Sequence, residues 1–132
     1  MRTIVFLCVA NAGRSQVAEG LARALAPPEA GYRFFSAGSQ PRTVNPHAVQ
    51  ALAEQGIDIS DHRSKGMDDV PLREADVIVT LCAEEVCPYV PGAAQRLHWP
   101  LLDPMKLEDF RTVRDELRRR LPALWVDQPT ER

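Results

Sequence analysis

Five residues lie between Cys8 and Arg14, Ser15 follows directly, and Cys8 stands near the end of a continuous apolar run, Thr3 to Val9. A thiol at the end of a buried strand, a short loop and a guanidinium at a helix start suit attack on a tetrahedral oxyanion. A connection that short must curl. The N–H groups of Val9, Ala10, Asn11, Ala12 and Gly13 then converge into an anion-binding nest at the helix N-terminus. Gly13 is expected to supply the unusual dihedrals of such a curl. Arg14 can fork two oxygens of the anion, and Ser15 can donate to the Cys8 sulfur. Nest, helix dipole and Arg14 all favour negative charge, so Cys8 is expected to react as a thiolate. Taken alone, Cys8 also fits a buried structural thiol, because cysteine is among the most buried residue types. The Arg-Ser pair at this spacing argues for chemistry.

Two further cysteines, Cys82 and Cys87, follow a second apolar run, and Asp103 precedes Pro104. Cys82 reads either as a strand-end core thiol or as a partner of Cys8. Cys87 reads as incidental or reactive, and exposed free thiols are avoided without a use. Cys-x4-Cys with His62 or His98 lacks the paired spacing of a zinc site. On local sequence Asp103 reads as the start of a turn. His62 and His98 read as hydrogen-bonded structural histidines and His47 as a helix-surface residue. Arg118-Arg119-Arg120 reads as a solvated helix face.

The elements that must position these groups follow from periodicity. Thr3–Val9 has the character of a buried parallel strand. Val17, Ala18, Leu21, Ala22 and Leu25 then space as a helix, which Pro27 and Pro28 end. Tyr32–Phe35 is a second strand, closed by Ser36-Ala37-Gly38. Asn45-Pro46 opens a helix that stops at Gly56. Ala75–Leu81 and Arg96–Pro100 are the third and fourth strands, with a short helical turn at Ala83-Glu84-Glu85-Val86 between them. Leu107, Phe110, Val113, Leu117, Leu121 and Leu124 form the stripe of a last helix. This alternation predicts a parallel sheet with helices on both faces. In such sheets ligands bind beyond the carboxyl ends of the strands, where Cys8 and Cys82 both fall.

Bulk properties narrow the class. The 132 residues are 45% hydrophobic and 26% charged, the size and balance of one globular domain. A net charge of -2 argues for neither a nucleic-acid nor a membrane surface. No apolar run is long enough to span a bilayer. The run after Met1-Arg2-Thr3 stops at Asn11, too short and wrongly flanked for a signal peptide. Three cysteines cannot all pair within one chain, and a few cysteines in the cytosol more often mean catalysis or metal than structural bridges.

Cys8, Arg14-Ser15 and Gln16-Val17-Ala18-Glu19-Gly20 together resemble the low-molecular-weight phosphatase superfamily. Ser36-Ala37-Gly38, Asn45-Pro46, Ile57-Asp58-Ile59-Ser60, Thr80-Leu81-Cys82, Cys87-Pro88, His98-Trp99 and Asp103-Pro104 extend the likeness over nearly the whole chain. Within that superfamily the chain resembles the thioredoxin-coupled arsenate reductases. The resemblance implies a flavodoxin-like single domain over 1–132, with a four-stranded parallel sheet in order 2-1-3-4. It implies a relay in which Cys8 attacks arsenate, Cys82 attacks Cys8 and releases arsenite, and Cys87 attacks Cys82. Thioredoxin then reduces the Cys82–Cys87 disulfide. Asp103 is the implied general acid. Phosphate or sulfate serve as substrate analogues, no cofactor is needed, and the expected state is a cytoplasmic monomer. The alternative that the resemblance leaves open is a protein tyrosine phosphatase using Cys8, Arg14 and Asp103.

Two departures accompany it. The family pattern places six residues between the second and third cysteines, and this chain has four. Some relatives hold a potassium ion behind the oxyanion loop, with implied side-chain ligands at Asn11, Glu19 and Ser36 and an Asp where this chain has Lys65. A lysine ammonium has three donors and no acceptor, so it cannot ligate potassium. It either takes the ion's place or points to water.

Overall fold

The computed structural model describes residues 2–83, 92 and 94–126. The expected turn at 84–86 and Cys87 lie outside them. The sheet has four parallel strands in the order β2-β1-β3-β4: β1 Thr3–Cys8, β2 Arg33–Gly38, β3 Val77–Thr80 and β4 Gln95–His98. Order and direction agree with expectation. The second strand is longer than Tyr32–Phe35, because β2 pairs with β1 in unbroken register from Thr3–Arg33 to Cys8–Gly38. Ser36-Ala37-Gly38 is therefore the end of the strand rather than its closing turn.

One sheet face carries Ile4, Phe6 and Val79 and packs against α1 Arg14–Leu25, α2 Pro46–Ala53 and α3 Leu107–Arg120 through Val17, Leu21, Leu52, Phe110 and Leu117. Each large apolar side chain buried there contributes about 1.5–3 kcal/mol relative to exposure. The opposite face buries Val5, Leu7, Ala37 and Ile78 beneath Val70 and half-buried Met67 and Leu72. Two short 3-10 turns, Met67–Asp69 and Leu72–Glu74, cover it.

Helix boundaries follow local chemistry. α1 ends at Leu25, where Ala26 turns extended ahead of Pro27. Asn45 caps α2, its Oδ1 accepting the His47 N–H at 2.8 Å, with Pro46 at the first position. The last apolar stripe is buried as expected, but it does not lie on one helix. Pro122 breaks the chain, and α4 Ala123–Val126 continues separately. The Tyr32 hydroxyl donates to the Leu124 carbonyl at 3.2 Å, tying α4 to the chain entering β2.

The arginine run lies on a solvated face as expected, with Arg118 and Arg119 exposed and Arg120 half-buried, and it still finds partners. Arg119 and Arg120 both bond Glu116, and Arg118 Nη1 donates to Gln55 Oε1 at 3.0 Å. A stronger link joins α2 to α3. Glu54 accepts from Arg111 and from buried Arg114, whose Nη1 lies 2.8 Å from Glu54 Oε1 and 2.9 Å from the Ala51 carbonyl. Hydrogen bonds from these two arginines hold the Glu54 carboxyl at about 2, against an ordinary 4.5. Unfolding therefore takes up a proton between those values. Glu54's contribution to stability is complete above about 4.5 and is lost as pH falls toward 2. The difference in melting temperature between the natural chain and Glu54→Gln should accordingly shrink across that acid window. A difference independent of pH would show that the carboxylate's charge contributes nothing there.

Candidate active site

Cys8 is the last residue of β1 and is buried. Its Sγ lies 2.8 Å from Ser15 Oγ and accepts the Asn11 N–H at 3.3 Å. Ser15 Oγ also accepts from Asn11 Nδ2 at 2.8 Å, so the hydroxyl proton is free to point at sulfur. The loop from Val9 to Gly13 thus closes over the thiol as the spacing requires.

Gly13 adopts the unusual dihedrals expected of it, with ψ -84 outside both the helical and the extended regions, and Asn11 shares the curl. Gly13 has φ -127, whereas Asn11 sits in the left-handed region at φ 50. Asparagine tolerates that conformation because its side chain bonds locally. Here Asn11 Oδ1 accepts from Gln16 Nε2 at 2.9 Å and from the Lys65 N–H at 2.8 Å. Gly13 is needed for space: a Cβ there would stand 2.9 Å from the Phe110 ring. Gly38 is needed more strictly, since its Cβ would fall 2.3 Å from the Val9 carbonyl oxygen.

The carbonyls of the loop are all engaged. Val9 O accepts from the Gln40 N–H, Ala10 O from Arg42 and Ala12 O from Asn45, at 2.8, 3.1 and 2.9 Å. Asn11 O accepts from Ser64 Oγ at 2.6 Å and from Gln16 Nε2 at 3.2 Å. Gly13 O starts the ladder of α1 through the Val17 N–H. With the carbonyls engaged from outside, N–H groups remain for an anion. His62 Nδ1 lies 3.0 Å from Gln16 Oε1, extending the same network. Local sequence signals this second layer only through Gln16, a polar residue on the buried face of a helix.

Arg14 is buried at the start of α1. Its Nη1 donates to the Leu101 carbonyl at 2.9 Å and to the Leu81 carbonyl at 3.4 Å, and its Nη2 lies 3.7 Å from Asp103 Oδ1. One guanidinium therefore joins the loop to the segment carrying Asp103 and to the residue preceding Cys82. Asp103 keeps 71% of its side chain exposed, open to proton exchange with water. Leu7 pairs with Thr80 in the sheet, so Cys8 and Cys82 both lie just past the paired ends of adjacent strands. Cys82 is buried and disulfide-bonded, while Cys8 is a free thiol. His98 hydrogen-bonds Thr80 at 2.7 Å, and His47 is exposed on α2.

Behind the loop, the buried Glu19 carboxylate meets two cations. Its Oε1 accepts from Ser36 Oγ and lies 3.4 Å from Lys65 Nζ, and its Oε2 lies 2.9 Å from Arg23. The Lys65 side chain is only 15% exposed and also donates to the Arg63 carbonyl at 3.1 Å.

Residues 3–131 match the low molecular weight phosphotyrosine protein phosphatase family. The chain belongs to that family. Among curated members it is 42% identical over 130 residues to an arsenate reductase of Halalkalibacterium halodurans, covering 91% of this chain and 92% of that one. An arsenate reductase structure in the phosphate-binding state superposes with a TM-score of 0.84 at 32% identity, over 98% of this chain and all of the other. A thioredoxin-dependent arsenate reductase of Corynebacterium glutamicum superposes with a TM-score of 0.74 at 30% identity, over 97% of this chain and 64% of that one. The phosphatase-family fold and its strand order are thus shared along the whole described chain.

Proposed function

We propose that this chain reduces arsenate to arsenite in the cytoplasm, with thioredoxin as the electron donor, for arsenic detoxification. One observation carries the reading. A free thiol in an anion nest, Cys8, shares a sheet edge with a second sulfur, Cys82, that is held in a disulfide. Hydrolysis of a phosphate ester uses water and has no need of a second sulfur. Reduction by two electrons does. The arsenate reductases among the relatives support the same choice.

In the proposed sequence the Cys8 thiolate attacks arsenic, and an arsenate oxygen leaves as water after taking a proton from Asp103. Loop N–H groups and Arg14 hold the remaining oxygens. Cys82 then attacks Cys8 Sγ. The sulfur–arsenic bond breaks with its electron pair passing to arsenic, arsenite departs, and a Cys8–Cys82 disulfide forms. Cys87 attacks Cys82 and restores the Cys8 thiolate, and the dithiol of thioredoxin reduces the resulting Cys82–Cys87 bond. Asp103 serves phosphate-ester hydrolysis equally well, so a side phosphatase activity accompanies this reading.

Lys65 replaces a metal cation in this scheme. Its ammonium lies beside Glu19 and Ser36, and the Asn11 amide oxygen is taken by Gln16 and the Lys65 backbone. A potassium ion there would meet a fixed positive charge, so the donor set does not fit one.

Cys87→Ser should trap a Cys8–Cys82 disulfide after a single arsenate turnover, seen by mass mapping. Cys82→Ser should abolish turnover with arsenate yet leave para-nitrophenyl phosphate hydrolysis largely intact. Cys8 remaining free throughout in the Cys87→Ser chain would rule out the relay. Activity of the natural chain should be indifferent to exchange of potassium for sodium at fixed ionic strength, and Lys65→Asp should create potassium dependence. Potassium activation of the natural chain would exclude Lys65 as the built-in cation.

A further inference from the structure

A cavity of about 540 Å³ lies on the outer side of the oxyanion loop, separate from the Cys8 nest. Its volume is in the range of small-molecule sites. Its inner wall includes Ser64, whose hydroxyl donates to the loop carbonyls of Ala10 and Asn11, so the cavity borders the carbonyl side of the loop. Arg42 and Arg63 line it, and no acidic residue does. Both arginines serve the loop through backbone atoms only, Arg42 through its N–H and Arg63 through its carbonyl. Among the described residues, neither guanidinium has a carboxylate partner. Of the acids near the lining in sequence, Asp61 is exposed and not part of the wall, and Asp58 is satisfied by the Ser60 N–H and hydroxyl.

Arg42 and Arg63 are both exposed, so their guanidinium groups are open to a ligand at the cavity. Each presents parallel donors that match an oxyanion in fork geometry. Beside the polar Thr43, Ser60 and His62, the wall has an apolar part of another kind, supplied by Val44, Pro46 and Val49. A bare inorganic anion would satisfy the arginines and leave that surface wet. A neutral apolar molecule would leave both charges unmatched. We propose that this cavity is a second anion-binding site, for a small organic phosphate whose charged head meets Arg42 and Arg63 and whose apolar body rests on Val44, Pro46 and Val49. This assignment does not depend on arsenate reduction at Cys8.

The probe is phenylphosphonate, which carries both parts and has no ester to hydrolyse, titrated into the nitrogen-15-labelled full chain. Inorganic phosphate supplies the charge alone and benzyl alcohol the body alone. Phenylphosphonate should shift the Val44 and Val49 amides saturably and more tightly than inorganic phosphate, and benzyl alcohol should leave them unmoved. Arg42→Gln combined with Arg63→Gln should weaken that binding about tenfold or more, the loss expected for hydrogen bonds to charged groups. Shifts of the Val9 to Arg14 amides by inorganic phosphate should persist in the double variant, reporting an intact loop. The proposal is overturned by any of three results: shifts confined to the loop, binding at Val44 and Val49 unchanged in the double variant, or phenylphosphonate binding no tighter than phosphate.

Discussion

An anion nest exists only if something holds its peptide units facing inward, and here that restraint is applied from outside. Val9, Ala10 and Ala12 give their carbonyls to the N–H groups of Gln40, Arg42 and Asn45. Asn11 gives its own to Ser64 and Gln16. A peptide whose carbonyl is fixed outward has its N–H fixed inward, so the loop is organised before any ligand arrives, and no reorganisation is needed when charge develops. The segment applying most of these bonds follows directly from β2. This explains why β2 runs to Gly38 and why that position has no room for a side chain. Glu19, Ser36 and Lys65 brace the same loop from behind, with the Lys65 N–H bonded to Asn11 Oδ1.

Arg14 carries the second constraint. Buried guanidinium groups must be satisfied, and this one is shared among the Leu81 carbonyl, the Leu101 carbonyl and Asp103. Removing it would disconnect three parts of the site at once: the anion loop, the strand end bearing Cys82 and the segment bearing the acid. The proposed chemistry is thereby divided between a rigid half, which holds the Cys8 thiol, and a neighbouring strand end, where the second sulfur stands. Parallel pairing of β1 with β3 brings the two halves to one edge, and Arg14 ties them through the Leu81 carbonyl.

Much of this was legible in the amino-acid sequence. Periodicity revealed the strands and helices and hence the sheet edge, and the spacing of Cys8 and Arg14 pointed to a loop curled over the thiol. What escaped it depended on tertiary partners. Gly13 takes the unusual dihedrals expected of it, but local sequence does not signal the left-handed Asn11, because Gln16 and Lys65 hold its side chain and Lys65 is distant in sequence. Arg114 looks like any member of a charged helix until Glu54 and the Ala51 carbonyl meet it across the α2–α3 contact. The stripe through Leu124 is periodic enough to suggest one helix, and Pro122 interrupts the backbone without disturbing which residues are buried. Apolar spacing reports a buried face, and it is silent about a break that leaves the face in place.

Two-electron reduction at Cys8 can be read in a single coupled assay. The natural chain is incubated with arsenate, NADPH, thioredoxin and thioredoxin reductase, with glutaredoxin and glutathione as the parallel arm. Reduction through a dithiol relay requires NADPH to disappear mole for mole with added arsenate in the thioredoxin arm. Hydrolysis of a phosphate ester by the same preparation, with no arsenate-dependent loss of NADPH in either arm, would contradict it and leave a phosphatase.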